Sequence, residues 1–152
     1  MKQPIFLYIS LIFLLLSAHV YSDQLPPTET KYGDYFVHHM IFPSVLLQPD
    51  IAKLHGLKRS KRESLINISV TKKTAVNENK YGIQSTVTGT VKNLMQQQKL
   101  LKFIEVKDGK STYYLAPIRV SSGEVLHIDV NVKPNESSAS IPVKFSQKLY
   151  PG

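Results

Sequence analysis

The chain has 152 residues, with 19 Lys and Arg against 11 Asp and Glu, a formal charge of +8. A hydrophobic fraction of 42% suffices for a buried core and excludes wholesale disorder. The absence of Cys excludes a disulfide scaffold, a Cys-ligated zinc or iron–sulfur site, a cysteine nucleophile and a lipoprotein lipobox.

The first segment reads as an address. Lys2 is a minimal positive region, and Ile5 to Leu16 is an apolar run broken only by Tyr8 and Ser10. The run is about 12 residues, short of the roughly 20 that a spanning helix needs. Val20 and Ser22 stand at the −3 and −1 positions of a signal-peptidase site, which predicts cleavage after Ser22, with Ala18 as a second site. Residues 1–22 are therefore a signal peptide. The product is expected in a bacterial periplasm with no transmembrane anchor after cleavage. Residues 23–32, with Pro26 and Pro27, read as a flexible leader, and 33–152 as one domain.

From Gly33 onward, short segments rich in Val, Ile, Thr, Tyr and Phe alternate with turn residues. The first strand is Asp34 to Phe42, apolar on both faces. Pro43 to Lys58 holds the one helical signal, a helix of about two turns with Pro49 at its first position and Gly56 as its stop. The second strand, Ser64 to Lys72, turns Ile66, Ile68 and Val70 one way and Asn67, Ser69 and Thr71 the other. The third, Tyr81 to Asn93, is interrupted at Gly89, where a bulge or a close backbone approach is expected.

Leu100 to Lys107 and Ser111 to Val120 are the fourth and fifth strands. Asp108-Gly109 between them suits a type I′ turn. That turn pairs Lys107 with Lys110, Glu105 with Thr112 and Phe103 with Tyr114. The sixth strand, Val125 to Lys133, puts Leu126, Ile128, Val130 and Val132 inside. The seventh, Ser140 to Tyr150, does the same with Ile141, Val143, Phe145 and Leu149. About seven such strands with one short helix predict an all-β antiparallel sandwich, with an up-and-down barrel as the alternative.

Several strings recur in a familiar order: Tyr32-Gly33-Asp34-Tyr35, Arg59-Ser60-Lys61, Asn67-Ile68-Ser69-Val70, Gly89 with Asn93-Leu94, Glu105-Val106, Tyr113-Tyr114, and Val143-Lys144-Phe145 with Gln147. From about Tyr32 to Tyr150 the chain thereby resembles the secreted proteobacterial family known as domain of unknown function 4426. The resemblance implies a single periplasmic domain with an immunoglobulin-like sandwich, and it implies no reaction.

Candidate chemistry is sparse. His38 and His39 are adjacent, so on a strand they face opposite ways and do not share one metal. A site combining either with His55 or His127 depends wholly on the fold. Nucleophile-elbow, phosphate-loop and zinc-protease motifs are absent from the sequence. No catalytic, cofactor-binding or metal residue is assigned, and no cofactor is expected.

Two surfaces stand out. Lys58, Arg59, Lys61 and Arg62 put four cations in five residues, a candidate contact for an anionic glycan or lipid of the lipopolysaccharide type. The competing reading is a solvated loop. Export argues against nucleic acid, and the missing cysteines argue against a eukaryotic processing site. Ile104, Val106, Tyr113 and Leu115 share the second face of the predicted hairpin, whose first face carries Leu101, Phe103, Tyr114, Ala116 and Ile118. That second face is either a partner surface or lies under the helix or the leader. The leading reading is a non-catalytic binding module that contacts another envelope protein. An anion-binding module is the second reading, and an enzyme with an unrecognised site is the third.

Overall fold

The computed structural model describes residues 27–74 and 79–152. The expected signal peptide, the expected cleavage after Ser22 and the first part of the expected leader fall outside the described residues. In chain order the elements are β1 (Glu29–Tyr32), β2 (Tyr35–Pro43), a 3-10 turn (Ser44–Leu46), α1 (Pro49–Leu54), β3 (Glu63–Lys73), β4 (Asn79–Lys80) and β5 (Ser85–Asn93). They continue with β6 (Gln98–Leu100), β7 (Ile104–Asp108), β8 (Ser111–Arg119), β9 (Glu124–Pro134) and β10 (Ile141–Leu149).

Two antiparallel sheets face each other. One runs β1-β2-β3-β8-β7, with β4 also paired to β3, and the other runs β10-β9-β5-β6. Strict alternation feeds the space between them. Ile66, Ile68 and Val70 of β3 meet Tyr114, Ala116 and Ile118 of β8, and opposite them lie Ile128, Val130 and Val132 of β9 with Ile141 and Val143 of β10. Each of the fully buried aliphatic side chains contributes about 1.5–3 kcal/mol over an exposed one. The fold is therefore all-β, two-layered and antiparallel.

Four local readings are corrected. Residues 29–32 are a strand and not leader: Glu29 to Tyr32 pair with His38 to Tyr35, and Gly33 turns the hairpin at φ +57°. The segment is too short and polar to announce itself beside Pro26-Pro27. The strand expected from Tyr81 begins at Ser85, because Gly82 at φ +66° breaks the run where the chain leaves one sheet for the other.

The strand expected from Leu100 to Lys107 is two strands in different sheets. Leu101 and Phe103, between them, fill the end of the core, so the alternation survives the crossing. Finally, Asp108 pairs with Ser111 and Glu105 with Tyr114, so the turn residues are Gly109-Lys110. A type I′ turn on Asp108-Gly109 needs positive φ at both positions. Among the described residues only Gly109, at +55°, has it in this hairpin, as a turn with glycine first requires. The slip preserves every side chain's face.

A second, smaller cluster lies on the outer face of the first sheet. Ala52 of α1 and Leu57 seat on Leu65, Val106 and Leu115. A six-residue helix does not persist alone in water. Here Pro49 opens it, Gly56 at φ +64° closes it, and apolar contact holds it down. Buried Ser44 fixes the far side of the same excursion: its Oγ donates to Ser60 O (3.0 Å) and accepts from Ser60 N–H (2.9 Å).

Candidate functional site

The four cations expected to bind anions come together on one pinned loop. Lys58, Arg59, Lys61 and Arg62 are all exposed, and none forms an ion pair among the described residues. Arg59 Nη2 donates to Val45 O at 2.6 Å. Gly152 N–H donates to Lys61 O and Val120 N–H to Arg62 O, each at 2.9 Å. The charges are solvated while the backbone beneath them is tied at both ends and at Ser60. Little ordering of that backbone is left to oppose binding.

Arg62 leads into β3, where Glu63 pairs with Arg119 of β8. Arg119 lines an open groove of about 250 Å³ with Lys99, Leu100, Leu101 and Ile118. The groove lies between the β5–β6 arm of one sheet and the end of β8 in the other. The groove is open and mixed in character: Leu100, 82% exposed, stands beside Asn93, Gln97, Ser121 and Glu124, while Leu94 and Met95, 65% and 74% exposed, lie on the turn of the same arm outside its lining. The β5–β6 turn is held by Asn93, whose Oδ1 accepts from Gln97 N–H (3.0 Å) and whose Nδ2 donates to Gln97 Oε1 (2.9 Å). The sequence alone does not single out Lys99 and Arg119, because they meet at the groove only through strand pairing and sheet packing.

The second expected surface is mostly occupied. Val106 and Leu115 are each 4% exposed beneath α1, and Ile104 and Tyr113 are half-buried at the edge of the same cluster. The helix accounts for the apolar second face of the hairpin.

The histidines do not converge. His38 faces outward, with Nδ1 3.2 Å from Glu29 and Nε2 3.0 Å from Thr71 Oγ1. His39 faces the core, stacked on Phe145 at 4.5 Å, with Nε2 3.4 Å from Thr30 Oγ1. His127 Nδ1 lies 2.7 Å from Ser146 Oγ on the solvent face of the second sheet. The neighbouring Asp129 is held by Lys144 at 3.0 Å, so among the described residues it is engaged away from this pair. No group of three His, Asp or Glu that suits a metal occurs among the described residues.

Burial, and secondarily the charge of His38, pushes the His39 pKa below its ordinary value. Its neutral form belongs to the fold, whereas the unfolded chain takes up a proton near pH 6.5. This contribution to stability is present above that pH and is lost as pH falls through the lowered folded value. The melting temperature at pH 5 should accordingly lie below that at pH 7.5, and His39→Phe should narrow the gap. Narrowing by His38→Phe with none by His39→Phe would refute the assignment.

The family of domain of unknown function DUF4426 matches residues 29–152. The chain belongs to that family. A crystal structure of a DUF4426 protein from Pseudomonas aeruginosa PAO1 superposes with a TM-score of 0.73 at 28% identity, covering 84% of this chain and 96% of that one. FetP of uropathogenic Escherichia coli strain F11, expressed in the periplasm of E. coli, shares the fold. It gives a TM-score of 0.59 at 13% identity over 84% of this chain and 96% of its own. A copper-bound FetP variant gives 0.60 at 12% identity, covering 83% and 92%. No curated protein sequence matches.

Within this DUF4426 domain, the match begins with β1 and not after it, in keeping with a domain that includes Glu29–Tyr32. From sequence, Asn67 reads only as an outward residue of its strand. Its register neighbours Met40 and Leu115 and its same-face neighbour Leu65 are apolar, while Ser69, two residues on, continues the same face as a polar residue. An amide between Leu65 and the helix-covered hairpin is the signal that parity alone offers.

Proposed function

We propose that this DUF4426 domain is a non-catalytic binding module of the bacterial envelope that takes an anionic lipid. The observation behind this reading is an exposed, backbone-pinned basic loop with no ion pair among the described residues, which leads into the strand that pairs with Arg119 of the groove. Arg62 directly precedes Glu63, whose register partner Arg119 lines the groove with Lys99, Glu124 and the exposed Leu100. Cations attract phosphate headgroups, and exposed Leu and Met side chains favour acyl chains over water. A free anionic glycan meets only the first half of that chemistry. The envelope location is supported by the signal-like residues 1–22 and by the periplasmic expression of FetP.

The protein-partner reading requires an open face at Ile104, Val106, Tyr113 and Leu115. With Val106 and Leu115 under α1, the anionic reading takes precedence. A FetP variant binds copper, whereas no group of three His, Asp or Glu that suits a metal occurs among the described residues of this chain.

Vesicle co-sedimentation tests the proposal. The protein should bind vesicles containing phosphatidylglycerol at low salt, release as ionic strength rises, and ignore pure phosphatidylcholine. Lys61→Gln/Arg62→Gln leaves the Arg59 contact intact and should weaken binding about thirtyfold, at roughly 1 kcal/mol per basic residue near a charged surface. Absence of binding, or binding unchanged by salt and by the double variant, would overturn the reading. Binding to a soluble anionic polysaccharide in place of the vesicles would transfer it from lipid to glycan.

A further inference from the structure

The end of the sandwich that carries the basic loop also presents an apolar tip that the fold does not need. The basic loop, the β8–β9 turn, the C-terminus and the β5–β6 turn meet there. Val120 N–H donates to Arg62 O, Gly123 N–H to Leu149 O and Gly152 N–H to Lys61 O, each at 2.9 Å. Ser121, next after Val120, lines the groove with Asn93 and Gln97, which bracket the β5–β6 turn. That turn is tightly built. Gln96 N–H donates to Asn93 O at 3.0 Å and Asn93 N–H to Gln97 O at 3.2 Å, beside the two bonds of the Asn93 side chain. Gln96 takes φ +63°, and no other non-glycine among the described residues has a positive φ. A side chain with a Cβ disfavours that conformation, which usually falls to Gly or Asn. Polar and small residues are also the usual occupants of a turn. Here Leu94 and Met95 form the tip, 65% and 74% exposed, so folding gains little from their apolar surface. A backbone kept in a costly conformation that holds two aliphatic side chains in water points to an apolar occupant outside the chain.

We infer that this end docks on an anionic bilayer surface, with the Leu94-Met95 turn inserted among the acyl chains and the basic loop on the headgroups. The inference rests on the anionic-lipid reading and goes further: the lipid stays in its membrane, and the domain is held on it end-on. Charge complementarity supports this occupant. Lys92 and Lys99 stand on the two strands that carry the turn, and Lys58, Arg59, Lys61 and Arg62 on the loop bonded to Val120. Glu124, the acidic residue of the groove, is engaged with Ser121 N–H at 3.2 Å. Lasting attachment to a bilayer takes two signals, and here an apolar tip adds to a basic patch. A soluble anionic glycan would meet the cations and leave the tip in water.

The sequence has no Trp, so Met95→Trp puts a single indole fluorophore at the tip. Tyr81→Trp is its control: Tyr81 is 57% exposed and follows Lys80, which pairs with Lys72 at the far end of β3 from Glu63. On vesicles of equal parts phosphatidylglycerol and phosphatidylcholine, the Met95→Trp emission should shift to the blue and be quenched by lipids brominated along the acyl chain. The Tyr81→Trp emission should do neither. Leu94→Ser/Met95→Ser should weaken co-sedimentation about tenfold with its salt dependence intact, because apolar surface is lost and no charge. Vesicle binding without quenching of Met95→Trp, or with quenching of Tyr81→Trp instead, would overturn the end-on insertion and leave the lipid reading standing. Failure of the wild-type protein to bind these vesicles would overturn both. Wild-type affinity in Leu94→Ser/Met95→Ser would overturn the insertion even if Met95→Trp does not fold.

Discussion

Gly82→Ala should lower the melting temperature by roughly 15 °C, the largest effect expected of any single methyl group in this chain. Gly82 sits at φ +66°, a conformation that side chains with a Cβ disfavour by about 1–2 kcal/mol. The second contribution is steric. A Cβ there would lie 2.1 Å from Lys110 O and 3.1 Å from Lys110 C, both backbone atoms that no rotamer change can move. Relief requires shifting the Gly109-Lys110 turn away from the segment that carries the chain from β4 to β5. That shift strains the contacts the turn region makes with the crossing, where Thr112 Oγ1 donates to Gly82 O and Ser85 N–H donates to Tyr114 Oη at 2.7 Å. Together these imply a loss of about 4 kcal/mol, in the exceptional range for one substitution. Gly109→Ala is the control, because Gly109 also has positive φ but a Cβ there would meet nothing within 4 Å. It should lose only about 1 kcal/mol. Equal melting temperatures for the two variants would show that the close approach of Gly82 to the turn is absent.

The same crossing shows what the sequence discloses and what it conceals. Strand alternation is a local signal, so β3, β8, β9 and β10 are legible to within a residue or two, and so are the inward side chains Ile66, Ile68, Val130 and Val143. Which sheet a strand joins is not local. Leu100 to Lys107 keeps its alternation while passing from one sheet to the other, because Leu101 and Phe103 point into the shared core from either side. Turn register fails for a related reason. Asp108-Gly109 satisfies one turn and Gly109-Lys110 another, and the choice is made by cross-strand pairs such as Glu105 with Tyr114, whose Oη donates to Glu105 Oε2 at 3.3 Å. The basic run is visible as a string. The register of neighbouring Glu63 with Arg119 exists only after β3 pairs with β8, and Lys99 joins Arg119 at the groove only when the sheets close. Asn67 reads as an ordinary surface amide until the helix fixes its neighbourhood.

Leu115→Ala bears most directly on the choice between the two functional readings of the hairpin's second face. Leu115 is 4% exposed and packs in a cluster with Ala52, Leu57, Leu65 and Val106. Removing its isopropyl group beneath a helix of six residues should cost about 3 kcal/mol and roughly 10 °C of melting temperature. Met40→Ala, on the neighbouring strand of the same outer face but 48% exposed, should change stability by no more than about 0.5 kcal/mol. The loss at Leu115 has a second consequence. Leu57 belongs to the same cluster and directly precedes Lys58, so a loosened helix frees one anchor of the basic loop while Ser44 and Gly152 retain the others. Vesicle binding should therefore weaken modestly, within a few-fold, because the charges remain and only their positioning relaxes. A Leu115→Ala protein that melts with the wild type would mean that α1 does not seat on this face. Ile104, Val106, Tyr113 and Leu115 would then form an open apolar surface of the kind that marks protein partners, and the anionic-lipid reading would lose its precedence.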